Sequence, residues 1–149
     1  MLAVIQRVSE AQLSIAGGAY AQIKQGFVVL LGIHESDEAS DVEYLAKKII
    51  GLRIFSDEEN KMNLDLLAVN GDILLVSQFT LFAQTKKGNR PSFIEAARPE
   101  KAIPLYESMI HTLKNKLGKE IQTGKFGADM QVQLCNDGPV TIIIDSKNP

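Results

Sequence analysis

The run Phe27-Val28-Val29-Leu30-Leu31-Gly32-Ile33 constrains the fold more than any other stretch of this chain. It has strand length, and no polar residue alternates with the apolar ones, so both faces of the strand must be covered. A second run, Ile73-Leu74-Leu75-Val76, is also of the buried type. Only two stretches carry a helical period. Val42, Leu45, Ala46, Ile49 and Leu52 form one stripe; Tyr106, Met109, Ile110, Leu113 and Leu117 form another, stopped by Gly118. The pattern is that of an α/β chain rich in strands, with two main helices.

The rest of the chain fits around these runs. Val4 to Val8 and Gln12 to Ile15 read as strands, followed by a hairpin signal at Gly17-Gly18, a strand from Tyr20 to Ile23 and a turn at Lys24-Gln25-Gly26. Ser40-Asp41-Val42-Glu43 is a capping-box pattern for the first helix, and Glu35, Asp37, Glu38 and Asp41 complement its dipole. Arg53-Ile54-Phe55 reads as a short strand, and Asp72 to Ala83 as a long one after the turn at Asn70-Gly71. Pro104 is expected to begin the regular part of the second helix or to kink its opening turns. Two or three closing strands run from Ile121 to Asp145. No repeat or linker interrupts residues 1–149, which read as a single domain.

With 45% hydrophobic and 23% charged residues the composition is globular, and 149 residues bury roughly 68–70% of the unfolded surface. No apolar stretch approaches the roughly 20 residues of a membrane span, and no signal-peptide pattern opens the chain. Cys135 is the only cysteine, so no intrachain disulfide can form and a reducing cytoplasm is the expected setting. A net charge of −2 argues against wrapping a long stretch of nucleic acid, but not against gripping one short end.

Two segments break the apolar logic. Ser77-Gln78-Phe79-Thr80-Leu81 follows the run ending at Val76, and Gly138-Pro139-Val140-Thr141 leads into Ile142-Ile143-Ile144. A buried strand gains nothing from Ser, Gln and Thr unless a polar group must be met there. A site is expected where the two segments converge. Residues 84–98 form a polar loop in which Lys86, Lys87 and Arg90 can make an anion-binding lip.

Most familiar chemistries are excluded. A Ser-His-Asp arrangement needs a base; of the two histidines, His111 falls on the watery face of its helix and His34 has no group nearby to orient it. No His/Cys/carboxylate set has metal-ligand spacing, and no glycine-rich phosphate loop or dinucleotide fingerprint is present. No metal or cofactor is expected. What remains is a pocket lined by backbone groups, in which main-chain N–H donors near Ser77 to Thr80 face a developing oxyanion. Binding and hydrolysis are both open at this point.

SQFTLFA (77–83) and GPVT (138–141) resemble the paired signature motifs of the D-aminoacyl-tRNA deacylases. The resemblance spans the chain, with Val4-Ile5-Gln6-Arg7-Val8, Arg53-Ile54-Phe55, Met62-Asn63 and Phe126-Gly127-Ala128-Asp129-Met130 in the family's order. It implies a β-rich α/β fold with mixed sheets or a barrel-like core, in a cytoplasmic homodimer with active sites at the subunit interface. The implied reaction is hydrolysis of the ester joining a D-amino acid, or glycine mischarged on alanine tRNA, to the terminal adenosine of tRNA.

Under this resemblance Ser77, Gln78, Phe79 and Thr80 line the catalytic pocket, with N–H groups near Phe79 and Thr80 as oxyanion donors. Gly138 and Pro139 match a Gly-cisPro element that enters the partner's pocket and offers carbonyl oxygens to the substrate's α-amino group. Arg7 is similar to an arginine that steadies this element, and Met130 to a residue near the adenine. Lys86, Lys87 and Arg90 are candidates for tRNA phosphates. Thr80 has no base beside it in sequence, so assistance from the 2′-hydroxyl of the terminal ribose is favoured over a Thr80 acyl-enzyme. The alternatives are a non-catalytic module that binds RNA ends or nucleotides and a β-rich dimerisation protein.

Overall fold

The computed structural model describes residues 1–149. One continuous strand of fourteen residues, β1 (Leu2–Ile15), carries both of the opening strand segments. Its first half pairs antiparallel with β3 (Gly26–Gly32) from Leu2↔Gly32 to Val8↔Gly26. Its second half pairs with β2 (Gly18–Ile23). The hairpin between them turns on Ala16 and Gly17, with φ of 50° and 79°, so Gly18 already belongs to β2 and the turn lies one residue before the Gly17-Gly18 signal. A two-residue hairpin of type I′ needs both central residues at positive φ, and here Ala16 accepts that cost.

After α1 (Ala39–Ile50) come two short paired strands, β4 (Phe55–Ser56) and β5 (Met62–Leu64), then β6 (Asp72–Ser77), which lies parallel to β3. A 3-10 helix (Phe79–Phe82), α2 (Pro99–Leu117), β7 (Gln122–Thr123) and β8 (Met130–Asp145) complete the chain. The sheet order is β2-β1-β3-β6-β7, with β8 running antiparallel along the whole free edge of β1. β2 comes round beside β6 and β7, so the sheet is nearly closed and barrel-like.

Both faces of β3 and β6 are covered, as the apolar runs require. Phe27, Val29, Leu31, Ile73 and Leu75 join the large core beneath α1 and α2. Val28, Leu74 and Val76 join Val8, Leu13 and Ile23 in a second, smaller core. α1 contributes Val42, Leu45, Ala46 and Ile49, and α2 contributes Tyr106, Met109, Leu113 and Leu117. Tyr106 donates to the carbonyl of Leu75 at 2.9 Å, and burial pushes its phenol well above the usual range.

Further details depart from the pattern read in the sequence, among them the short strand read at Arg53–Phe55, which is β4 at Phe55–Ser56. The capping box belongs to Glu38 and Asp41, two residues before Ser40 and Glu43. Helix α2 starts on Pro99, whose missing N–H would have no partner in the first turn, and continues through Pro104, which leaves the Glu100 carbonyl without its helical donor. The strand expected to reach Ala83 ends at Ser77, where the chain folds into the 3-10 helix.

The acids before α1 also do more than face its dipole. The Met1 ammonium donates to Asp37 Oδ1 at 2.6 Å and to Ser146 Oγ at 2.8 Å, with the ammonium and carboxylate both fully buried. Ser146 in turn donates to Asp41 at 2.6 Å, and Lys147 reaches Asp41 at 2.8 Å. Burial pushes the Asp41 carboxyl up, but the hydrogen bonds from Lys147, Ser146 and the Glu38 backbone outweigh it and bring the pKa from 3.8 down to about 2. This network ties the start of β1, the start of α1 and the tail after β8 into one corner.

Candidate active site

At the end of β6 the last paired residue, Ser77, lies opposite Leu31. The Gln78 N–H still reaches the Leu31 carbonyl at 2.8 Å, and then the chain turns away. Leu81 donates to the Gln78 carbonyl and Ala83 to that of Thr80, which closes the 3-10 helix. Phe79 and Thr80 occupy the first turn, whose N–H groups have no partner within the helix. These are main-chain donors at the mouth of a cleft.

The cleft has a volume of about 310 Å³. Ser77, Gln78 and Phe79 line it from the end of β6, and Ala128, Asp129 and Met130 line it from the approach to β8. Most of the lining is apolar, with Asp129 its one charged residue. Phe79 is 57% exposed and stands edge-on to Phe93, with ring centres 5.1 Å apart. Sequence reasoning missed Phe93, because nothing in a polar loop marks one aromatic as the neighbour of Phe79.

Thr80 stands beside the cleft and does not line it. Its hydroxyl accepts from the Gln78 side-chain amide, which is no base. No group of three His, Cys, Asp or Glu side chains is close enough to hold a metal ion. His111 is exposed and pairs with Asn115; the Nδ1 of His34 accepts from the Ser36 backbone at 3.0 Å. Neither histidine makes a hydrogen bond to the hydroxyl of Ser77 or Thr80.

Gly138, Pro139 and Arg7 form a second locus. Within one chain they do not line the cleft. The register gives the reason. Ser77 pairs with Leu31, Leu31 with Ala3 and Ala3 with Ile144, whereas Gly138 lies near Arg7, four residues further along β1. That is about 13 Å along the strand, plus three strand spacings of about 4.8 Å. Gln6 pairs with Thr141 and Val8 with Asn136, so Asp137 to Val140 occupy the space that Arg7 alone takes on β1. The extra residues bulge outward, and Gly138 and Pro139 are exposed. The bond between them is cis.

Arg7 fills the base of the bulge. Its Nε donates to the Asp137 carbonyl at 3.0 Å and lies 3.2 Å from the Asp137 carboxylate, while Nη1 donates to the Ile54 carbonyl. Asp137 carried no signal in the sequence, since its partner is 130 residues away. Lys86, Lys87 and Arg90 are exposed and make no ion pair, in a loop closed by the Gln84↔Ser92 bridge. No helix is long and apolar enough to cross a membrane.

The chain is similar to known proteins over nearly its whole length. Residues 4–145 match the family model described as D-Tyr-tRNA(Tyr) deacylase. A D-aminoacyl-tRNA deacylase of Cytophaga hutchinsonii is 64% identical over 148 residues, covering 99% of both chains. One of Flavobacterium psychrophilum is 57% identical over the same span. Among solved structures, one named c-Myc DNA Unwinding Element Binding Protein superposes with a TM-score of 0.92 at 41% identity, over 97% of this chain and 98% of that one. Another, described as a probable eukaryotic D-amino acid tRNA deacylase, gives 0.84 at 16% identity over 96% of this chain and 97% of that one, a likeness of fold.

Proposed function

The chain belongs to the D-Tyr-tRNA(Tyr) deacylase family, and on that premise we propose that it hydrolyses the ester between a D-amino acid, or glycine mischarged on alanine tRNA, and the terminal adenosine of tRNA. It works in the cytoplasm as a homodimer, with the Gly138-Pro139 bulge of one copy entering the cleft of the other. The observation that carries this reading is the separation of two complementary halves. A cleft bordered by the first turn of the 3-10 helix lies beyond the end of β6, and an exposed, Arg7-braced bulge that lines no part of it lies midway along β8.

Further support comes from β8, none of whose sixteen residues is buried although Ile143, 67% exposed, lies in an apolar run. A second copy would give that strand the cover it lacks.

In the reaction, water adds to the ester carbonyl, and the N–H groups of Phe79 and Thr80 take up the charge on its oxygen. One such donor is worth about 2.7–4 kcal/mol. The tetrahedral intermediate expels the ribose 3′-oxygen, which takes a proton, and the free amino acid leaves. With no base beside Thr80, the neighbouring ribose 2′-hydroxyl activates the water or supports the transition state. Met130, in the cleft wall, packs near the adenine.

Handedness is sensed by the partner's main chain. D- and L-aminoacyl groups differ only in where the side chain and hydrogen point from one carbon. Carbonyl oxygens at Gly138 and Pro139 that hold the α-amino group have no rotamer by which to yield. An L side chain would then run into backbone, while hydrogen in its place, as in glycine, fits.

A second reading is a module that binds nucleic-acid ends without turnover. It draws on the unpaired Lys86, Lys87 and Arg90 and on the 41% identical solved relative, whose name describes binding to a DNA unwinding element. Release of D-tyrosine from charged tRNA by the purified protein separates the two: turnover supports the deacylase, and binding of uncharged tRNA with no turnover supports the module.

A further inference from the structure

Gly32 ends β3 and is buried directly beneath the 3-10 helix. A Cβ at this position would lie 3.1 Å from Leu81 Cβ, 3.1 Å from the Phe82 ring and 3.2 Å from the Gln78 carbonyl oxygen. Two of these three atoms belong to the main chain or are fixed to it, so no rotamer change relieves them. The helix is also tethered next door, where Gln78 N–H meets the Leu31 carbonyl at 2.8 Å. On its outer side the Phe82 ring rests against His34, with centres 5.2 Å apart. Glycine within a strand commonly marks a close approach of another backbone, and Gly32 does not have the positive φ that would require glycine for conformational reasons.

We propose that Gly32 is a positioning residue for hydrolysis: its missing side chain sets how deeply the Phe79–Phe82 helix seats on β3, and so where the Phe79 and Thr80 N–H groups point. The proposal rests on the deacylase reading given above. Alanine suits an extended strand as well as glycine does, so the effect of a methyl group comes from contact alone. That contact moves the helix by a few tenths of an ångström. Donors that hold an oxyanion at 2.7–3.1 Å tolerate little displacement, whereas a long substrate bound elsewhere along its length hardly registers it.

The test is Gly32→Ala, with Phe82→Leu and the Gly32→Ala/Phe82→Leu double variant beside it. The expected result is a kcat on D-tyrosyl-tRNA lowered about tenfold, equivalent to about 1.4 kcal/mol, with KM changed less than about twofold. In the free protein, backbone amide resonances should move most at Gln78–Phe82, and adding Gly32→Ala to Phe82→Leu should cost less kcat than adding it to the native chain, because one of the three contacts is then relieved. If the single variant does not fold, the double variant against Phe82→Leu reads the part of the effect that the Leu81 and Gln78 contacts carry, a smaller loss of kcat with the same resonance shifts. An unchanged kcat in a folded variant, or a loss of activity with no resonance change at Gln78–Phe82, overturns the proposal. If the native protein cleaves no D-aminoacyl-tRNA, the deacylase reading falls instead, and the amide resonances alone decide whether Gly32 seats the helix.

Discussion

Arg7 and Asp137 face each other across the β1–β8 seam, with Arg7 Nε 3.0 Å from the Asp137 carbonyl and 3.2 Å from its carboxylate. With the bond from Nη1 to the Ile54 carbonyl, one guanidinium joins β1, the bulge before Gly138 and the segment after α1. Lysine cannot reproduce this, since it is a point charge without the planar fork. Arg7→Lys is expected to lower D-tyrosyl-tRNA turnover at least tenfold and to cost about 1–3 kcal/mol of stability, the penalty for leaving a buried acceptor unmet. Turnover and chemical denaturation measured on the same variant check both numbers. Near-native turnover would show that the bulge does not depend on Arg7.

Thr80 accepts a hydrogen bond from Gln78 and has no base beside it. Thr80→Ala is therefore expected to keep turnover within about tenfold of native, against the roughly million-fold loss that follows removal of a true nucleophile. A tRNA ending in 2′-deoxyadenosine, charged on its 3′-oxygen, should instead be cleaved about 10²–10⁴ times more slowly. Single-turnover assays on the two pairs decide between protein and substrate as the source of assistance.

Lys86, Lys87 and Arg90 carry no ion pair that binding would have to break. If all three meet phosphates of the single-stranded 3′ end, log affinity should fall with log salt with a slope of about −2. Replacing all three with alanine should raise KM and flatten that slope, leaving kcat within about twofold. A salt titration of KM on native protein and triple variant measures this.

The corner built on Asp41 predicts an acid limit of stability. Its carboxyl is held at about 2 in the folded chain and returns to about 3.9 on unfolding, so the unfolded chain binds the proton first as pH falls. The stabilisation is full above about pH 4 and is lost as pH drops through 2. It amounts to about 1–2 kcal/mol once the half-exposed Lys147 partner is allowed for. Asp41→Asn should remove this part of the pH dependence, as urea midpoints between pH 2 and pH 5 will show.

Local chemistry made the sheet and part of the cleft legible in the sequence. Phe27–Ile33 and Ile73–Val76 could only be strands covered on both faces, and Ser77-Gln78 could only be polar residues with something to meet. What stayed hidden was set by partners far along the chain. Asp137 gains its meaning from Arg7, and the end of β6 at Ser77 from the close packing of Leu81 and Phe82 on Gly32. That the two motifs stand apart within one chain has the same origin: strand register, invisible in a sequence, puts Gly138 four residues along β1 from the position level with Ser77. The capping box shifted by two residues because Glu38 and Asp41 offer the same spacing as Ser40 and Glu43, and Asp41 has Ser146 and Lys147 to hold it.

Turnover on one matched pair, D-tyrosyl-tRNA and L-tyrosyl-tRNA, tests the central claim most directly. Discrimination by main chain predicts that the D ester is cleaved faster by more than the roughly 200-fold that a yielding pocket can give. Cleavage of the two esters at comparable rates would contradict it.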